Sequence, residues 1–186
     1  MIHGASMFQT GAVTEKNVPA FTFDDGPMGP RKEYQRDDWI PVGGNDDATS
    51  YLPSNSALAA TFNRKRALES GTILGREARG RGKDMILAPG INIHRSPLGG
   101  RNFEYMSEDP YLTAEIAVPF VEGIQQNDVS ACVKHYALNN QETDRTGYNA
   151  DVSERALWEI YLPAFRATVK KAHTMGMMGS YNRFHD

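Results

Sequence analysis

Cysteine is nearly absent: Cys132 stands alone in 186 residues, so no disulfide can form within the chain and the redox compartment is left open. Long apolar runs are missing as well. Nothing approaches the roughly eighteen consecutive apolar residues of a membrane span, and Met1 to Gly11 lacks the basic start and apolar centre of a secretory signal. A water-soluble chain is expected, its compartment undetermined, since a cleaved leader leaves no trace. An excess of one charge is also lacking. A formal net charge of -3 gives neither nucleic acid nor an anionic membrane anything to grip. Five histidines (His3, His94, His135, His173, His185) fall at no ligand spacing, so no metal and no cofactor are expected. There is no Gly-x-Ser-x-Gly elbow, and Cys132 lies in an apolar run, where it reads as a small buried residue.

What is present suits a globular domain. The chain is 40% hydrophobic and 23% charged, enough for one core at a length within the usual single-domain range. After an aperiodic lead-in, Met1 to Pro19, short apolar runs alternate with helical patterns. The runs are Pro19 to Phe23, Met85 to Leu87, Val129 to Lys134 and Met175 to Gly179. An interrupted helix is expected from about Asn55 to Arg81. Its Ala67, Gly71, Leu74 and Ala78 form a narrow small-residue face able to lie close against a sheet. Arg76, Arg79, Arg81 and Lys83 cluster at its C-terminal end, where cations complement the helix dipole; Gly82-Lys83 lacks the rest of a phosphate loop.

A second helix starts at Asp109-Pro110, a cap followed by a first-turn proline, and buries Leu112, Ile116, Phe120 and Ile124. A third, capped by Asp151 or Ser153, carries Leu157, Ile160, Tyr161, Ala164, Phe165 and Val169 as an apolar stripe kinked at Pro163. Short strands alternating with amphipathic helices predict parallel βαβ units and an α/β fold.

The polar residues gather where each strand ends. Asp25 precedes Gly26-Pro27, where it reads either as a turn former or as an acceptor at a loop mouth. Leu87 to Pro110 is a long loop with a Pro-Gly turn and a Gly-Gly pair before Arg101, whose planar fork suits a fixed acceptor; on spacing alone that acceptor is Glu104 or Glu108. Lys134-His135 and Tyr181 follow the later strands. One architecture collects such loops on a single face, the (β/α)8 barrel, of which this chain holds four to six units. Glu104, Glu108, Asp109 and Glu142 are the carboxylates to weigh for catalysis. Glu104 sits near enough to orient Arg101, and Asp109 is explained as a cap.

Five pieces in order, DGPMGPR (Asp25 to Arg31), LAATFN (Leu58 to Asn63), LAPGINIHRSPLGGRNFEYMSEDPYL (Leu87 to Leu112), KHYALNNQE (Lys134 to Glu142) and MGSYN (Met178 to Asn182), resemble glycoside hydrolase family 3. The resemblance implies that residues 1–186 are part of the N-terminal (β/α)8-type TIM barrel domain of a retaining β-glucosidase-like enzyme acting on terminal β-D-glucosyl or related sugars. Asp25, Arg31, Arg101, Lys134, His135 and Tyr181 are then expected to bind the sugar, in an oligosaccharide or glucoside. The nucleophile Asp is expected beyond Asp186, and the acid/base in a second, C-terminal domain, so this stretch alone is expected to be inactive. Asp38-Trp39 mimics the family's Asp-Trp pair but stands upstream of every other motif, and reads as a surface insertion. A noncatalytic carbohydrate-binding module using the same loops is the alternative.

Overall fold

The computed structural model describes residues 4–32 and 48–184. The lead-in, expected to be irregular, contains an antiparallel hairpin of β1 (Gly4–Ser6) and β2 (Gln9–Thr10). It reaches the next strand through the Phe23 N–H, which donates to the Phe8 carbonyl at 2.8 Å. β3 (Phe23–Asp25) begins later than the apolar run predicted and ends on the carboxylate itself. With β4 (Met85–Leu87), β5 (Ser130–Tyr136) and, beyond a two-residue β6 (Asn149–Ala150), β7 (Gly176–Gly179), it forms one parallel sheet in the order β3-β4-β5-β7. β6 pairs separately with β8 (Arg183–Phe184). Sequential parallel order is what successive βα units produce, and this four-stranded sheet is part of a barrel wall. The Asp38-Trp39 pair lies outside the described residues.

The expected interruption between the first helices is real: α1 (Asn55–Ala59) and α2 (Arg64–Gly80) are separated by Phe62, which adopts a positive φ of 52°. Asn63 restarts the helix, its side-chain oxygen accepting from the Lys65 and Arg66 N–H groups at 3.0 and 3.2 Å. The small-residue face of α2 packs differently from expectation. It meets α3 (Pro110–Gln125) rather than the sheet, because its glycines let two helix backbones touch. A Cβ added at Gly71 would lie 2.1 Å from the Phe120 carbonyl oxygen, and one at Gly123 2.4 Å from that of Leu68.

Helix α3 is capped by Asp109, which accepts from the Tyr111 and Leu112 N–H groups at 2.7 and 3.2 Å. It buries Ile116, Phe120 and Ile124 completely, with Leu112 packed at the margin. The last helix divides into α4 (Glu154–Ala156), a π-turn (Leu157–Tyr161) and α5 (Pro163–Lys170), with Ser153 rather than Asp151 supplying the side-chain cap. The wider i→i+5 turn and the restart at Pro163 shift its phase, so Leu162, Phe165 and Thr168 are buried while Val169, predicted to face inward, is exposed. Cys132 is buried in β5. Among the described residues no helix is long and apolar enough to cross a membrane.

Candidate functional site

The first wall of the site is the loop Asp25 to Arg31, closed on itself by the Arg31 N–H donating to the Asp25 carbonyl at 2.8 Å. Two glycines make that closure possible. Gly26 sits at φ 122° and Gly29 at 142°, and a Cβ on either would fall within 1.9 Å of a carbonyl oxygen. The Asp25 carboxylate accepts from the Gly26 N–H at 2.8 Å. Arg31 points back over the Phe8 ring, 4.3 Å from its centroid, with Nε 3.9 Å from the buried Asp24 carboxylate.

The second wall is the long loop after β4. It lacks regular structure, yet Ile91, Ile93 and Met106 anchor it in the interior. Two amides tie its backbone down: Asn55 donates to the Glu104 carbonyl at 2.7 Å and Asn140 to that of Ile93 at 2.6 Å. Arg101 therefore projects from a fixed frame. Its Nε donates to Glu104 Oε2 at 2.6 Å and its NH2 approaches the same oxygen at 2.5 Å, while NH1 stands 3.9 Å from Glu142. Burial alone would lower the Arg101 pKa, but Glu104, Tyr105 and Glu142 outweigh it and hold the pKa above its ordinary value.

Lys134, at the end of β5, joins the two walls. Its ammonium lies 3.2 Å from Asp25 Oδ1 and 3.0 Å from Glu104 Oε1, and only 2% of the residue is exposed. Asp25 is the more open partner, its side chain 27% exposed. Among the described residues both bonds to this carboxylate land on Oδ1, which leaves Oδ2 to accept from a ligand. Asp25, Arg31, Arg101, Glu104 and Lys134, with Pro27, Met28 and Phe103, line a cleft of about 270 Å³ at the C-terminal ends of the strands. Several fixed donors and acceptors around one such volume suit a small polyhydroxylated ligand, which needs oriented, charge-assisted hydrogen bonds. Apolar hollows also flank the π-turn, but the one walled by Trp158, Leu162, Phe165 and Met177 contains no carboxylate.

Two further expected residues stand apart from this wall. His135 lies behind it, 5% exposed, with its backbone clamped by Asn92: the His135 N–H donates to Asn92 Oδ1 at 2.8 Å, and Asn92 Nδ2 to the His135 carbonyl at 3.0 Å. Burial, then Arg101, Lys134 and Arg145, push its pKa down to about 2, so the ring is neutral. Tyr181 is exposed and does not line the cleft; its ring lies under Arg145, 5.2 Å from the guanidinium, and Arg145 reaches Glu142 at 3.2 Å. Sequence reasoning weighed Glu104 as a catalytic carboxylate and as a neighbour of Arg101 but not as part of the sugar-binding wall, and it missed Asn92, Tyr105 and Asn139. The one available signal was their concentration inside the two most motif-like stretches.

Residues 42–186 match the family model for the glycosyl hydrolase family 3 N terminal domain. The chain is 47% identical to the β-glucosidase BoGH3A of Bacteroides ovatus over 95% of its own length and 24% of that protein. It is 41% identical to an exo-α-(1→6)-L-arabinopyranosidase of Bifidobacterium longum, over 98% of this chain and 24% of that one. Among solved structures, β-glucosidase 3B from Thermotoga neapolitana in complex with glucose superimposes with a TM-score of 0.86 at 45% identity, covering 95% of this chain and 24% of that one. The chain thus spans about a quarter of the length of these relatives.

Proposed function

The chain belongs to glycosyl hydrolase family 3, and from that premise we propose that its cleft grips the terminal sugar of a glucoside in a retaining β-glucosidase-like enzyme. The observation that carries this reading is the Asp25–Lys134–Glu104–Arg101 ionic cluster at the ends of the strands. Asp25 accepts from sugar hydroxyls, Lys134 and Arg101 donate to sugar oxygens, and Arg31 closes one side. In this reading His135 reaches the ring from behind, while Tyr181, held under Arg145 outside the cleft, meets the sugar only where the rest of the full-length protein completes the site. Such bonds position the ring and strengthen as charge develops in the transition state. Residues 1–186 then form part of the N-terminal barrel domain.

Retaining hydrolysis needs two carboxyl groups about 5 to 5.5 Å apart, one as nucleophile and one as acid/base. In this reading neither is Asp25 or Glu104, each of which is engaged by cations that hold the cleft together. Both come from parts of the full-length protein outside residues 1–186, the acid/base from a C-terminal domain. The sugar is β-D-glucose or a relative of similar size, since similar proteins include both β-glucosidases and an arabinopyranosidase.

Assaying an aryl β-glucoside with full-length protein and with residues 1–186 tests the reading. The full-length enzyme should release product with retained anomeric configuration, and the shorter chain should give background rates. Turnover by the 186-residue chain, abolished by Asp25→Ala, would contradict it.

A further inference from the structure

Behind the cleft, His135 is met by a chain of side chains that the sugar-binding reading does not use. Asn139 Nδ2 lies 2.9 Å from Glu142 Oε1 and 2.8 Å from the Tyr105 hydroxyl, which lies 3.0 Å from His135 Nδ1. Asn139, Tyr105 and His135 are buried, at 3%, 3% and 5% exposure. The direction of every proton in this chain follows from its end. An ionised carboxylate only accepts, so the Asn139 group facing Glu142 is the NH2. One of its hydrogens goes to Glu142 and the other to Tyr105, whose oxygen therefore accepts. The Tyr105 proton is left to donate to His135, whose Nδ1 must then carry none.

We propose that Glu142, Asn139 and Tyr105 form a positioning relay that locks His135 as its Nε2–H tautomer, a fixed hydrogen-bond donor toward the bound sugar. Nε2 is the open end of the ring: it bonds no other described residue and is not sealed from solvent. Tyr105 stays a phenol, because burial above all raises its pKa. The charged groups acting on His135 are Arg101, Lys134 and Arg145, which together with burial disfavour a second ring proton, so tautomer rather than charge is what the relay controls. A locked donor discriminates. It rewards a substrate oxygen with a free lone pair at that point and leaves the proton unsatisfied when the oxygen is replaced by hydrogen.

The relay's wiring follows from its hydrogen-bond geometry, while its role in recognition rests on the sugar-binding reading above. The test uses the full-length enzyme with 15N-labelled histidine. The His135 spectrum should show Nδ1 as an unprotonated, pyridine-type nitrogen and Nε2 as a protonated one. Tyr105→Phe should move both resonances toward a tautomer mixture and lower kcat/KM roughly tenfold, the scale of one lost hydrogen bond. In a His135→Ala background the same Tyr105 substitution should cost nothing further. A protonated Nδ1 in the unaltered enzyme, or an unchanged spectrum in Tyr105→Phe, overturns the relay. An equal kinetic loss in both backgrounds marks Tyr105 as merely structural and overturns its role. Full activity in His135→Ala would instead remove His135 from the sugar site, with the spectra still deciding the tautomer.

Discussion

The α2–α3 interface and the cleft fail in opposite ways. Between the helices, Gly71, Gly75 and Gly123 bring backbone against backbone, with no room for one more carbon. In the cleft, Asp25, Lys134, Glu104 and Arg101 hold one another at 2.5 to 3.2 Å, each ion kept in place by an opposite charge. One region breaks when atoms are added and the other when they are removed. The first sets where the sheet's supporting layer sits; the second sets what the ends of the strands can hold.

The largest effect should come from adding atoms. Gly71→Leu drives a side chain into the Phe120 backbone, which cannot rotate aside, and should cost about 3 kcal/mol or more, read as a large fall in Tm. Gly80, in the last turn of the same helix, has nothing within 4 Å of a built Cβ, so Gly80→Ala should leave Tm level or slightly raised. Similar losses at both positions would end the distinction between the tight face and the open one.

Subtraction in the cleft comes next. Lys134→Met keeps the apolar stem but takes the ammonium from Asp25 and leaves Glu104 to Arg101 alone, and losing a charged hydrogen bond costs about 1.5 to 3 kcal/mol. In the full-length enzyme kcat/KM should fall at least a hundredfold. A variant with intact stability and activity would mean that the ionic cluster holds nothing in place.

Acid offers a gentler probe. His135 has a folded-state pKa of about 2 against an ordinary value near 6.5, so below pH 6.5 the unfolded chain binds a proton that the folded chain refuses. Its neutral burial is therefore fully tolerated above pH 6.5 and costs stability as pH falls, by about 1.4 kcal/mol per unit down to about pH 2. Denaturant unfolding at pH 7 and pH 5 should differ by about 2 kcal/mol more for the unaltered protein than for His135→Gln. Equal differences would place the acid sensitivity elsewhere.

The elements most legible in the sequence were those with local causes. The Asp109-Pro110 cap and the brief apolar runs of β4, β5 and β7 each follow from a few adjacent residues, whereas the helix from Asn55 to Arg81 was expected to be interrupted without the break being placed at Asn63. Asp25, Arg101 and Lys134 could be singled out because each stands in a motif that follows an apolar run, and Arg31 through the family resemblance of the motif it closes. What escaped depends on distance along the chain. Asn139 meets Tyr105 across 34 residues and Asn92 meets His135 across 43, and neither pairing leaves a periodic trace. The partner of the Gly71 face was misread for the same reason, since small residues announce close approach but not to what. The lead-in hairpin, with strands of three and two residues, is too short to carry a period. Val169 faced the wrong way because a π-turn has no signature in apolar spacing.

Calorimetric titration of glucose into the full-length enzyme tests whether the cleft at the ends of β3 and β5 holds the sugar. Asp25→Ala removes a charged acceptor whose hydrogen bonds contribute about 1.5 to 3 kcal/mol, so glucose affinity should weaken roughly ten- to a hundredfold. Arg79→Ala, on the exposed face of α2, should bind glucose as the unaltered enzyme does. Undiminished binding by a well-folded Asp25→Ala variant, with binding lost in Arg79→Ala, would put the site on the wrong side of the molecule.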